Sequence, residues 1–135
     1  MSTNSSISIQ TTKTNGKSIY CHWDGYPSFN GKMLKEHYNT KEKVKELIAL
    51  GNLSILGEAI GEKVEFKGFD SQKSKQCLAY GRDRNEKGQK PQSWKGKPND
   101  TQQWNYLFKD GVWYVSNYDR EFVLLTDEII EKDEI

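Results

Sequence analysis

Apolar residues are scarce in this chain. They make up 34% of 135 residues against 29% charged, enough for one hydrophobic core but not two, so a single domain spanning 1–135 is expected. Long apolar runs are missing: stretches such as Phe122 to Leu125 are far too short to cross a bilayer, and no membrane association is expected. An excess of one charge is missing too. The net charge of +1 gives no global attraction to nucleic acid or to an anionic surface, so any such binding needs a local patch. The opening MSTNSSISIQ has neither the basic start nor the apolar centre of a secretory signal, which places the expected location in the cytoplasm. Only two cysteines and two histidines occur, in no CxxC or HxxxH spacing, so no metal site is expected, and Cys21 and Cys77 are read as reduced thiols. Neither GxxxxGK[ST] nor GxGxxG is present, so no phosphate-cradling loop and no cofactor are expected.

Aromatic rings compensate for the thin aliphatic content. Trp, Tyr and Phe reach 12%, and each buries far more area than an aliphatic side chain. The pattern predicts an α+β fold: a mostly antiparallel sheet of five or six strands, with two helices between Lys32 and Leu50 packed on one face. Residues 1–6 and 131–135 read as frayed ends.

Ser5 to Thr12 and Ser18 to Trp23 read as a hairpin around Asn15-Gly16. A strict two-residue loop sets Ile7 and Ile9 apart from Ile19, Cys21 and Trp23. A longer or bulged loop puts them on one face and is the preferred register. Thr40 is a candidate cap for the second helix and Gly51 its left-handed terminator. Asn52 to Gly57 reads as an apolar turn plugging the core. Val64 to Phe69 and Gln76 to Tyr80 read as strands, with a turn from Asp70 to Lys75 between them. Residues 81–100 have no period and read as one long loop. Trp104 to Lys109 and Val112 to Ser116 form the clearest hairpin, with Asp110-Gly111 in a type I′ turn pairing Phe108 with Trp113 and Tyr106 with Val115. Glu121 to Leu125 reads as a further strand, followed by a short helix capped by Thr126.

The densest chemistry lies in Ser18 to Gly31, SIYCHWDGYPSFNG. Cys21, His22 and Asp24 invite a small hydrolase reading, but neighbours on a strand point to opposite faces, and no orienting third group is apparent. The preferred role of the pair is structural, a His22 to Asp24 hydrogen bond that pins the turn. No catalytic residue is assigned. Asp24, Tyr26 and Phe29 on that turn are candidate contact residues, expected to form one contact surface with the Gly81 to Pro98 loop. Arg82, Arg84, Lys87, Trp94 and Lys95 are further candidates, since cations interleaved with an aromatic ring grip phosphates and stack bases. A solvated loop is the plainer reading of that basic stretch.

The combination of IYCHWDGYP, the helix EKVKELIALGNLSILGE, GRDR at Gly81 to Arg84 and NYLFKDGVWYV resembles an uncharacterised family of small proteins encoded by phages, prophages and neighbouring mobile elements. The resemblance runs from about Ile7 to Tyr118. It leads one to expect His-Arg-Asp-Arg where this chain has Gly81 before Arg82. It implies an accessory protein of a bacterial host cell that binds and inhibits or redirects a host protein, counter-defence proteins such as anti-CRISPR inhibitors included. The alternative is a nucleic-acid or nucleotide-binding module using residues 81–98, and the third reading is the hydrolase centred on His22 and Asp24.

Overall fold

The computed structural model describes residues 2–64 and 75–135. Strand β1 (Ser5–Gln10) and strand β2 (Asn15–Cys21) pair antiparallel, with Ile7 opposite Ile19 and Ser5 opposite Cys21. The longer-loop register is therefore the one adopted, and Ile7, Ile9, Ile19 and Cys21 share the buried face. The turn itself lies elsewhere than expected. Thr11 to Thr14 make the loop, Thr11 N and Thr12 N donate to Asn15 O, and Asn15-Gly16 continue as strand. Gly16 is glycine for another reason: a Cβ there would come within 2.1 Å of the Trp94 ring. A glycine inside a strand often marks such a close approach.

After β2 a π-helical turn (Pro27–Gly31) leads into α1 (Lys32–His37), then α2 (Lys41–Ala49). Thr40 caps α2 by accepting from Lys43 N, and Gly51 takes the left-handed φ of +79° that ends it. The stretch expected to be an apolar turn is instead strand β3 (Leu53–Ile55). Strand β4 (Leu78–Ala79) follows, and GRDR lies in a short helix, α3 (Tyr80–Arg84). Residues 81–100 are not one loop, since β5 (Gln92–Lys95) forms within them. The final elements are β6 (Trp104–Lys109), β7 (Val112–Asn117), β8 (Val123–Leu124) and α4 (Asp127–Lys132), whose cap is Thr126. The strand expected beyond Val64, through Phe69, and the turn from Asp70 lie outside the described residues.

Among the described residues eight strands form one sheet in the order β4-β3-β2-β1-β6-β7-β8, with β5 also on β2. This corrects the expectation of five or six mostly antiparallel strands: the sheet is larger and mixed. β1 runs parallel to β6, and β3 parallel to β2. Hairpins announce themselves through their turns, whereas a parallel neighbour arrives through a long crossover that leaves no local signal. β2 divides its second edge between two partners. β5 pairs with Asn15 to Ser18, and β3 pairs at Cys21. Asn52 fills the rung between them, its Oδ1 accepting from Tyr20 N at 2.9 Å.

One face of the sheet carries the core. Ile7, Ile19, Tyr106, Phe108, Trp113 and Val115 pack beneath Leu34, Val44, Leu47 and Ile48 from the helices. The C-terminal hairpin pairs as its sequence dictates, with Asp110 and Gly111 both at positive φ. Buried rings keep their polar tips satisfied: Tyr106 Oη donates to Gly25 O, Tyr38 Oη to Gly57 O and Trp113 Nε1 to Tyr38 O, all within 2.7–2.8 Å. The opposite face is lined by small polar residues, and Ser6, Ser8, Asn105 and Ser116 are buried there. Asn105 organises it, accepting from Ser6 Oγ and donating to Gln102 O and Tyr118 O.

Candidate functional site

β2 ends at Cys21, and a last rung, Trp23 N to Ser54 O, carries the chain off the sheet edge. Asp24 then takes a left-handed φ of +58°, a conformation that aspartate tolerates better than most residues. Gly25 follows where the backbones of Thr3 and Asn4 come so close that a Cβ would sit 2.7 Å from Thr3 O. The turn is fastened on every side. Gly25 N donates to Thr3 O, Asn30 N to Asp24 O, and Asn30 Nδ2 to Trp23 O. Ser28 donates through both N and Oγ to the two carboxylate oxygens of Asp133, at 2.6 Å each, which ties the turn to the end of α4.

Phe29 rides on this frame and is 53% exposed. Tyr26 meets its ring edge-on, with centroids 5.0 Å apart. Beside it lies a groove of about 370 Å³ whose apolar lining is Phe29, Met33, Ile55 and Leu56 and whose charged lining is Asp24, Glu58 and Lys75. The turn residues Asp24, Tyr26 and Phe29 are thus brought together. Met33, Ile55 and Glu58 were not singled out from the sequence. The i, i+4 spacing of Phe29 and Met33 was the one available signal, and it reads equally well as core.

The remaining chemistry of the stretch turns inward. Cys21 is fully buried, and desolvation pushes its thiol up to about 12, with the Asn30 amide partly opposing. Burial also raises Cys77, which sits against Tyr38 and Gly57. Neutral, enclosed thiols are poor nucleophiles. His22 does not hydrogen-bond Asp24, contrary to the expected pin. Its Nδ1 pairs with Tyr20 Oη at 2.8 Å, and its ring stands edge-on to Trp23. The geometric cause is Asp24, whose left-handed backbone breaks the strand alternation that would place both side chains on one face. Among the described residues no group of three His, Cys, Asp or Glu side chains converges, and no helix is long and apolar enough to cross a membrane.

The basic candidates are dispersed. Arg82 is committed to the fold: Nε and Nη2 grip the buried Asp83 carboxylate, Nη1 donates to Ile60 O and Gly61 O, and Nη2 also reaches Cys77 O. Arg84 pairs with Glu86 at 2.9 Å and lies over the Tyr80 ring. Trp94 is partly buried, its ring lying against Gly16. Lys87 and Lys95 are exposed. Lys95 pairs with Asn15 at one end of β2, while the Asp24 turn leaves the other end, beyond Cys21. At about 3.3 Å per residue the two lie roughly 20 Å apart. The structure therefore does not join the turn and the β5 segment into one surface.

Comparison with protein-family models, with curated proteins and with solved structures returns no match.

Proposed function

We propose that this chain is a non-enzymatic binding module that captures a partner protein through the Phe29 groove. The observation that carries the reading is a large aromatic held half-exposed on a turn whose backbone is fastened to Thr3, Trp23, Tyr106 and Asp133. A fixed aromatic loses little entropy on binding, and such anchors dominate protein interfaces. The resemblance to accessory proteins of phages and mobile elements supports a host protein as the partner, and inhibition or redirection of that protein as the outcome. The nucleic-acid alternative draws less support, because Arg82 and Trp94 are engaged within the fold.

The test is affinity capture of the tagged chain from host lysate, followed by titration of the captured protein. Phe29→Ala is expected to weaken capture by about 2 kcal/mol, roughly thirtyfold. Its thermal midpoint should stay close to that of the parent chain, since an exposed side chain contributes little to folding. A Phe29→Ala chain that captures the same protein with unchanged affinity refutes the assignment.

A further inference from the structure

The groove beside Phe29 does not end at Glu58. A second depression of about 390 Å³ begins there, lined by Glu36, His37, Lys43, Glu46, Glu58 and Ile60. Both share one pair of walls. Along one side runs α1 with the turn before it, giving Phe29 and Met33 to the first depression and Glu36 and His37 to the second. Along the other runs the segment from Ile55 to Ile60. Glu58 lines both, so the two depressions adjoin and form a trough with two compartments, about 10 Å from Phe29 to Glu36 by the helical rise.

The two ends differ in chemistry. The end at the turn is mainly apolar, through Phe29, Met33, Ile55 and Leu56, and its charged lining, Asp24 and Lys75, is balanced. The far end gathers the carboxylates of Glu36, Glu46 and Glu58 against the single ammonium of Lys43. Glu36, Glu46 and Glu58 are all exposed, and Glu36 lies 3.9 Å from His37 Nε2. A chain of net charge +1 therefore concentrates negative charge at one end of an apolar groove.

We infer that the trough takes a bipartite segment of the partner: an apolar anchor seated against Phe29 and Met33, with Lys or Arg side chains about 10 Å further on, facing Glu36, Glu46 and Glu58. That spacing corresponds to two turns of an amphipathic helix or about three residues of extended chain. The carboxylates supply orientation and speed of encounter, the apolar end most of the residence time. This inference rests on the protein-binding reading and specifies the chemistry of the partner.

The experiment measures fluorescence anisotropy of a labelled amphipathic Leu/Lys peptide, and of its Leu/Glu counterpart, titrated with the full chain. The Leu/Lys peptide should bind at least about tenfold more tightly than the Leu/Glu peptide. In the triple variant Glu36→Gln, Glu46→Gln, Glu58→Gln, that preference should shrink to less than about threefold, and the salt dependence should flatten with it. Phe29→Ala should weaken the Leu/Lys peptide without removing the charge preference. Equal binding of both peptides, no binding of either, or a preference that survives in the triple variant overturns the inference. So does self-association of the chain that is lost in Phe29→Ala, which would assign the trough to a second copy. The two readings fail separately. If Phe29→Ala loses the captured host protein and the triple variant retains it unchanged, protein binding at Phe29 stands and the basic-segment inference falls.

Discussion

Removing the Asp83 carboxylate should unfold a region that sequence reasoning assigned to a solvated loop. Its side chain is fully enclosed, and both oxygens are doubly engaged. Oδ1 accepts from Val64 N at 3.0 Å and Arg82 Nε at 2.9 Å; Oδ2 accepts from Ala79 N at 2.8 Å and Arg82 Nη2 at 3.1 Å. Arg82 carries the clamp onward to Ile60 O and Cys77 O. The pair thus ties the stretch from Ile60 to Val64 to β4 and α3. Asp83→Ala leaves a guanidinium with 18% side-chain exposure and no carboxylate, and strands two backbone N–H groups. Breaking one side of a buried ion pair costs about 3–5 kcal/mol, and the stranded donors overlap with that figure rather than adding to it. With a urea slope near 2 kcal/mol/M for a domain of this size, the midpoint should fall by roughly 2 M. Arg82→Lys, which keeps the charge but loses the planar fork, should fall between the two. The decisive measurement is the double-mutant cycle of Arg82→Ala with Asp83→Ala, with an expected coupling of at least about 2 kcal/mol. A midpoint for Asp83→Ala within about 0.3 M of the parent, or additive single mutants, refutes the clamp. The same geometry means that Arg82→Glu tests folding and not partner capture.

Two further outcomes follow from the same accounting of polar groups. Asn52→Ala should cost about 1–3 kcal/mol in urea unfolding, because it removes the acceptor of Tyr20 N and the donor to Gln89 Oε1; the Tyr20 amide should exchange faster in the variant, and unchanged exchange would place the junction's stability elsewhere. Alkaline pH should destabilise the fold through Cys21, whose native value is raised from 9.0 to about 12. Below pH 9 both states hold the proton; between about 9 and 12 the unfolded chain releases it while the native chain retains it, so stability falls by up to about 1.4 kcal/mol per pH unit. Cys77 is raised in the same direction and steepens the fall. The slope of urea midpoint against pH should be shallower for Cys21→Ala, and an identical slope would remove Cys21 from the cause.

How much of this was legible in the sequence depends on whether two independent signals coincided. At the C-terminal hairpin Asp110-Gly111 and the alternation of Trp104, Tyr106 and Phe108 gave the same register, and each pair is found as written. At the N-terminal hairpin they conflicted. The side-chain pattern was right, and the Asn15-Gly16 turn was wrong, because that glycine makes room for an indole ring from a strand nearly eighty residues later. β5 was invisible for a related reason. Three of its four residues are exposed, so no apolar alternation marks it, and its strand character comes entirely from the free edge of β2. Arg82-Asp83 read as solvent-facing charge because adjacent opposite charges carry no periodicity, and their partners are backbone groups at Ile60, Val64, Cys77 and Ala79. Of the candidate site, the turn residues were readable from composition alone. The far wall, Ile55 to Ile60, required knowledge of how β3 leaves the sheet.

The division of β2's edge explains why the candidate surface gathers at one end of the strand. Where β5 pairs, from Asn15 to Ser18, the second edge of β2 is covered and Trp94 seals the adjoining face. Where β3 pairs, beyond Asn52, the two strands run parallel and leave the sheet on the same side, β2 into the Asp24 turn and β3 into Leu56 to Ile60. Two parallel chains diverging from a common edge leave a cleft between them, and α1, launched by the π-helical turn at Pro27, forms its second wall. An antiparallel partner at that position would have sent its chain to the opposite end of β2, and no trough would form beside Phe29. The parallel β2–β3 pairing, the feature least visible in the sequence, is therefore the one that creates the candidate site.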